Sequence, residues 1–147
     1  MITASVSWLV LLYPALERQR YIARHISLLS EAEKESGLSS VTELGAPFLL
    51  RLSRELLQVR LDIWLFPISL YFYASQPEFT LAAALPKAQR FALEGIAPEQ
   101  CSDTRLAATQ LSISVRELGR TLAERVLHVP VETETETIFR IFLEREQ

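Results

Sequence analysis

Apolar residues recur along this chain three and four positions apart, the spacing of amphipathic helices and not the alternation of strands. The clearest run follows Pro47. Leu52, Leu56, Val59, Ile63, Phe66 and Leu70 make one seam, and Leu50, Leu57, Leu61 and Trp64 make a second stripe on another face. A helix apolar on two sides predicts a central place in a bundle, with Pro67 ending or kinking it. A second long seam runs through Ala108, Leu111, Val115, Leu118, Leu122 and Val126. Asp103 is placed to cap that helix and Pro130 to stop it. Upstream, Leu12, Leu16, Gln19, Ile22, Ala23, Ile26 and Leu29 share one stripe that finishes before Gly37, a residue suited to the left-handed position after a helix.

The remaining segments are shorter. Thr3–Tyr13 reads as a first helix, with Pro14 either opening the next helix or kinking one longer helix. Ile68–Tyr73 reads as an apolar turn or short helix. Ser75 and Glu78 have capping-box spacing, which predicts a fourth helix running to Leu85, restarted at Pro86 and closed by Gly95. A loop spans Ile96–Ser102. In the tail, alternating Glu and Thr fit a strand by period, whereas Thr133 with Glu136 fits a capping box. With no partner strand evident, the expectation is an extended linker leading into a short helix bearing Ile138, Phe139, Phe142 and Leu143.

The prediction is therefore an all-α fold, a compact bundle of five to six helices over 1–131. An acidic linker and a short C-terminal docking helix occupy 132–147. The core should centre on Leu52, Leu56, Val59, Ile63, Leu111, Val115, Leu118 and Leu122. At 147 residues the chain is long enough for one adequate core.

Composition narrows the functional classes. One cysteine excludes a disulfide framework and multi-cysteine metal sites. Residues 3–16 are apolar but shorter than the ~20 residues of a membrane helix, and no basic region precedes them. Prolines interrupt the apolar stretch 63–85, which reads as two buried helices. The expectation is a cytoplasmic protein with no membrane partner. No Gly-rich phosphate loop occurs. Glu124 and His128 share a helix face, but two ligands do not make a catalytic zinc site, and His25 has no ligand spacing around it. Cys101 precedes a helix and lacks an oriented base, so it does not read as a nucleophile. Glu31 and Glu35 read as a solvated helix end. No residue set supports an enzyme, a cofactor or a catalytic metal.

The remaining feature is arginine, which supplies all but Lys34 and Lys87 of the 15 basic residues. Net charge is −3 and lies in the tail, because 132–147 carries five Glu and two Arg. Arg105, Thr109, Ser112, Arg116 and Arg120 fall within an arc of about 80° on one helix, roughly 115° from its seam. Three Arg with hydroxyls between them suit a phosphate backbone. Arg51 with Arg54 offers a second cluster, and Arg18, Arg20 and Arg24 a third. The alternative is a solvated face with Arg51–Glu55 and Arg120–Glu124 pairs.

A compact, Arg-biased helical chain of this length with no catalytic set resembles the small subunit of type I CRISPR effector complexes. The resemblance covers roughly residues 4–129 and rests on architecture and the Arg faces. It implies a non-catalytic role in antiviral defence, in which copies of the subunit stack with other subunits of a ribonucleoprotein complex and hold the DNA or RNA backbone. It also implies that a chain opening ITASVSWLVLLYPALE is a separately translated C-terminal piece of a larger subunit. The net acidic charge departs from that pattern. The competing expectation is a helical protein–protein adaptor or regulatory subunit, supported by the apolar surplus that includes Trp8 and Trp64.

Overall fold

The computed structural model describes residues 2–71 and 79–146, with side chains described from Val6 onward. It is an all-α bundle. Its helices are α1 (Ile2–Ser36), α2 (Ser40–Leu65), α3 (Leu81–Ile96), α4 (Ser102–Leu122) and α5 (Thr135–Glu146). A 3₁₀ turn, Pro67–Tyr71, follows α2, and a π turn, Ala123–Leu127, ends α4.

Cross-helix pairs fix the directions. Arg18–Asp62 and His25–Glu55 make α1 antiparallel to α2. Ser53–Ser114 and Arg60–Thr121 make α2 parallel to α4, and Ser27–Lys87 with Glu33–Arg90 make α1 parallel to α3. The packing order around the bundle is therefore α1, α2, α4, α3, with a diagonal crossover from α2 to α3. Helix α5 packs on α3 and α4. All eight expected core residues are buried, and Ile138, Phe139 and Phe142 join the same cluster. The tail helix thus completes the core.

Several boundaries differ from the sequence expectation, each for a local reason. Helix α1 continues through Pro14, the second of the two alternatives there. Proline removes only the bond to the Val10 carbonyl, and that carbonyl belongs to a well-exposed residue. Helix α2 begins at Ser40, not Pro47. Ser39 caps it through Thr42 N–H, Gly45 then breaks it at φ 64°, and Pro47 opens the long second segment. Helix α3 is one helix across Pro86, capped by Thr80, whose hydroxyl accepts from Ala83 N–H. The Ser75–Glu78 capping box lies outside the described residues. Asp103 is not the cap of α4: Cys101 holds the N-cap position, its thiol lying 3.1 Å from the Thr104 hydroxyl, and Asp103 sits in the first turn.

Gly95 also has a different role from the one its spacing implied. It lies inside α3 without a left-handed φ. A Cβ there would stand 2.6 Å from Ala108 Cβ, so its missing side chain lets α3 approach α4. At the end of α4, His128 adopts φ 53° and its N–H bonds the Ala123 carbonyl, two residues before Pro130. Helix α5 opens with Ile138 N–H on the Glu134 carbonyl. Among the described residues no strand occurs.

Candidate interaction surface

The second stripe of α2 faces outward. Leu50, Leu57, Leu61 and Trp64 are all exposed, Leu61 by 50% and Trp64 by 42%. This corrects the expectation that α2 is covered on both sides. Its wheel explains why: α1 and α4 flank the Leu52–Ile63 seam, and the second stripe points away from both. On α4, which runs parallel beside α2, Leu106 and Ile113 are also exposed. At one end Arg125 stacks 4.7 Å above Trp64 and donates to the Trp64 carbonyl. Six large apolar side chains on two adjacent helices exceed the scattered exposure of ordinary surfaces.

The arginine arc of α4 is exposed at Arg105, Thr109, Arg116 and Arg120. Its members differ in what they touch. Arg120 bonds Glu117 at 2.9 Å, and Glu117 also lies 3.8 Å from Arg60. The expected Arg120–Glu124 pair is replaced by this i, i−3 pair. Arg105 and Arg116 make no ion pair among the described residues. Arg116 and Arg120 line a groove of about 550 Å³ whose other wall carries Glu132, Glu134 and Glu136. The acidic linker therefore stands beside the C-terminal half of the arc, where its charge opposes phosphate.

The other arginines are divided between structure and solvent. Arg51 lies 4.0 Å from Glu55, as the i, i+4 spacing predicted, and Arg54 is exposed on the outer face of α2 with no ion pair among the described residues. Arg24 stacks 5.5 Å from the Phe79 ring. Arg20 is exposed at the rim of an α1–α2 groove shared with Tyr21 and Gln58. Arg18 belongs to the fold: two 2.7 Å bonds join it to Asp62, whose residue is only 3% exposed. Those bonds raise the guanidinium pKa above its usual value. The signal was present in the sequence, since an aspartate beside a buried seam needs a partner.

His25 Nδ1 lies 4.0 Å from Glu55 Oε2, and both atoms are buried without a hydrogen-bond partner. Cys101 is exposed, and its thiol is held below the usual range by the Thr104 hydroxyl 3.1 Å away and by backbone N–H groups. His128 is exposed at the helix end. Among the described residues no three His, Cys, Asp or Glu gather into a metal-binding group, and no helix is long and apolar enough to cross a membrane. No protein-family model matches the chain, and comparison with curated proteins and with solved structures finds no match.

Proposed function

We propose that this protein is a non-catalytic helical subunit that holds another protein chain on the outer face of α2 and α4. The observation that carries this reading is the exposed row Leu50, Leu57, Leu61 and Trp64, with Leu106 and Ile113 also exposed on the neighbouring α4. An apolar helix of a partner fits such a face, because anchors spaced three and four apart interdigitate between two parallel helices. Trp64 with Arg125 stacked on it is the expected hot spot, since Trp and Arg dominate interface energetics. The test is native purification of the chain from its own cells. The double variant Leu57→Glu, Leu61→Glu should lose its partner while keeping its melting temperature. Retention of the partner by that variant would refute the reading.

A second reading, contact with a nucleic-acid backbone in a ribonucleoprotein complex, is favoured by Arg105, Arg116 and Arg54, which are exposed and without ion pairs among the described residues. The resemblance to CRISPR small subunits belongs to this reading. Under it, changing Arg105, Arg116 and Arg120 to Gln should flatten the slope of log affinity against log salt by up to about 2–3. Under the docking reading that triple variant keeps its protein partner. The acidic wall beside Arg116 and Arg120 weighs toward docking.

A further inference from the structure

Along its apolar stripe, helix α2 turns charge of one sign outward. Between Gly45 and Leu65 its acidic residues are Glu55 and Asp62. Asp62 is buried and takes two bonds from Arg18. Glu55 is mostly buried, 4.0 Å from Arg51 through one oxygen and from His25 through the other. Arg60 is spent on Glu117 and Thr121. The charges left in solvent on that stretch are Arg51 and Arg54. Arg54 follows Leu50 by four residues and precedes Leu57 by three, so it stands within the stripe. Arg125 closes the far end, stacked 4.7 Å above Trp64. In a chain of net charge −3, this stripe is rimmed by arginine and shows solvent no acid.

We infer that the partner is an acidic amphipathic helix, whose apolar anchors meet the leucines while Glu or Asp beside them pair with Arg54, Arg51 and Arg125. This rests on the docking reading above and names the chemistry of what docks. A helix laid on the stripe takes Arg54 out of water, and a buried guanidinium without a counter-charge opposes binding. A partner carrying carboxylates at that place removes the penalty, and a Lys-bearing one adds repulsion to it. From Leu50 to Trp64 the row is about 21 Å long at 1.5 Å per residue, so the partner helix needs about four turns. The chain's own acidic helix is excluded as the occupant, because Ile138, Phe139 and Phe142 of α5 are buried in its own core. A nucleic-acid backbone fits less well: it would pair the arginines but lay its phosphates over Leu57 and Leu61.

A displayed library of helices about four turns long, selected on the full chain, tests this. Leucine is fixed at positions three and four apart, and Glu, Gln or Lys is allowed at the positions beside them. Peptides with Glu should bind at least about tenfold tighter than their Lys counterparts, an advantage that shrinks in concentrated salt. Arg54→Glu should cut that preference severalfold. Thermal melting checks that each variant folds, and Arg54→Gln serves if the reversal does not. Peptides that bind wild type and not the Leu57→Glu, Leu61→Glu chain, yet show no preference for Glu, would overturn the acidic partner and leave the docking face standing. Enrichment of no peptide, or equal binding to the Leu57→Glu, Leu61→Glu chain, would overturn both. A labelled single-stranded DNA is the last probe. If it binds, loses affinity in Arg54→Glu and finds no competitor among the peptides, the stripe belongs to nucleic acid and the acidic helix is refuted.

Discussion

Gly95→Ala sets two physical effects of known size against each other. In an isolated helix, alanine would gain up to ~1 kcal/mol over glycine, less near a helix end such as this one. In the bundle, the new methyl would lie 2.6 Å from Ala108 Cβ, 3.2 Å from Leu49 Cδ1 and 3.4 Å from Val41 Cγ1. Optimal carbon contacts fall near 3.5–4.0 Å, so the Ala108 approach is about 1 Å too close. Leu49 can rotate away, but Ala108 Cβ moves only with the α4 backbone. Overpacking of this kind costs ~1–3 kcal/mol, which exceeds the propensity gain. The expected net loss is about 1–2 kcal/mol. At roughly 2–4 °C per kcal/mol for a chain of this size, thermal unfolding should drop by several degrees. Ala108→Gly should relieve the clash, so the double mutant should be more stable than the two single effects predict, by at least about 1 kcal/mol. Urea titration of all four proteins measures this coupling. A Gly95→Ala protein at least as stable as wild type would refute the close α3–α4 contact.

Other expected outcomes follow from burial and charge. Leu56→Ala should cost ~2–5 kcal/mol in urea unfolding, because Leu56 is fully buried in the α2 seam. Phe139→Ala should cost ~3–5 kcal/mol, showing that α5 belongs to the core. Burial by itself would raise the Glu33 pKa, but Arg90 and Ser40 outweigh it and hold the carboxyl below its usual range. A lowered folded pKa gives stability above the unfolded pKa that is lost as pH falls through the folded one, so Glu33→Gln should lose stability at neutral pH and not at strongly acid pH. Glu146 is opposite: burial raises its pKa despite bonds from Thr80 and the Ala82 N–H. Its ionised form opposes folding once pH rises above the unfolded pKa, so Glu146→Gln should raise the melting temperature at neutral pH and leave it unchanged in acid.

The helices and their seams were legible in the sequence because each seam repeats over several turns and needs a neighbour to bury it. Leu52, Leu56, Leu111 and Leu118 are buried as their spacing predicts. Punctuation was less informative. Pro14 and Pro86 are tolerated inside helices, because each removes one bond and stands exposed. Periodicity gave the outer stripe of α2 its face but could not say whether anything lies against it. That depends on which helices become neighbours, and α4 takes the place beside α2 through a diagonal crossover. The arginine arc was similarly legible as a face, while its partners were not. Glu117 lies one helix turn from Arg120, whereas the 132–136 segment faces it across a groove, a placement with no local signature.

Hydroxyl-radical footprinting inside cells tests the docking face most directly, since it reads coverage without needing the partner in hand. Leu61 and Trp64 are open to solvent in the isolated chain, as is Leu93 on α3. If a protein partner sits on α2 and α4, oxidation of Leu61 and Trp64 should fall severalfold in cells relative to the purified chain, with Leu93 unchanged. Equal oxidation of Trp64 in both settings would contradict the account.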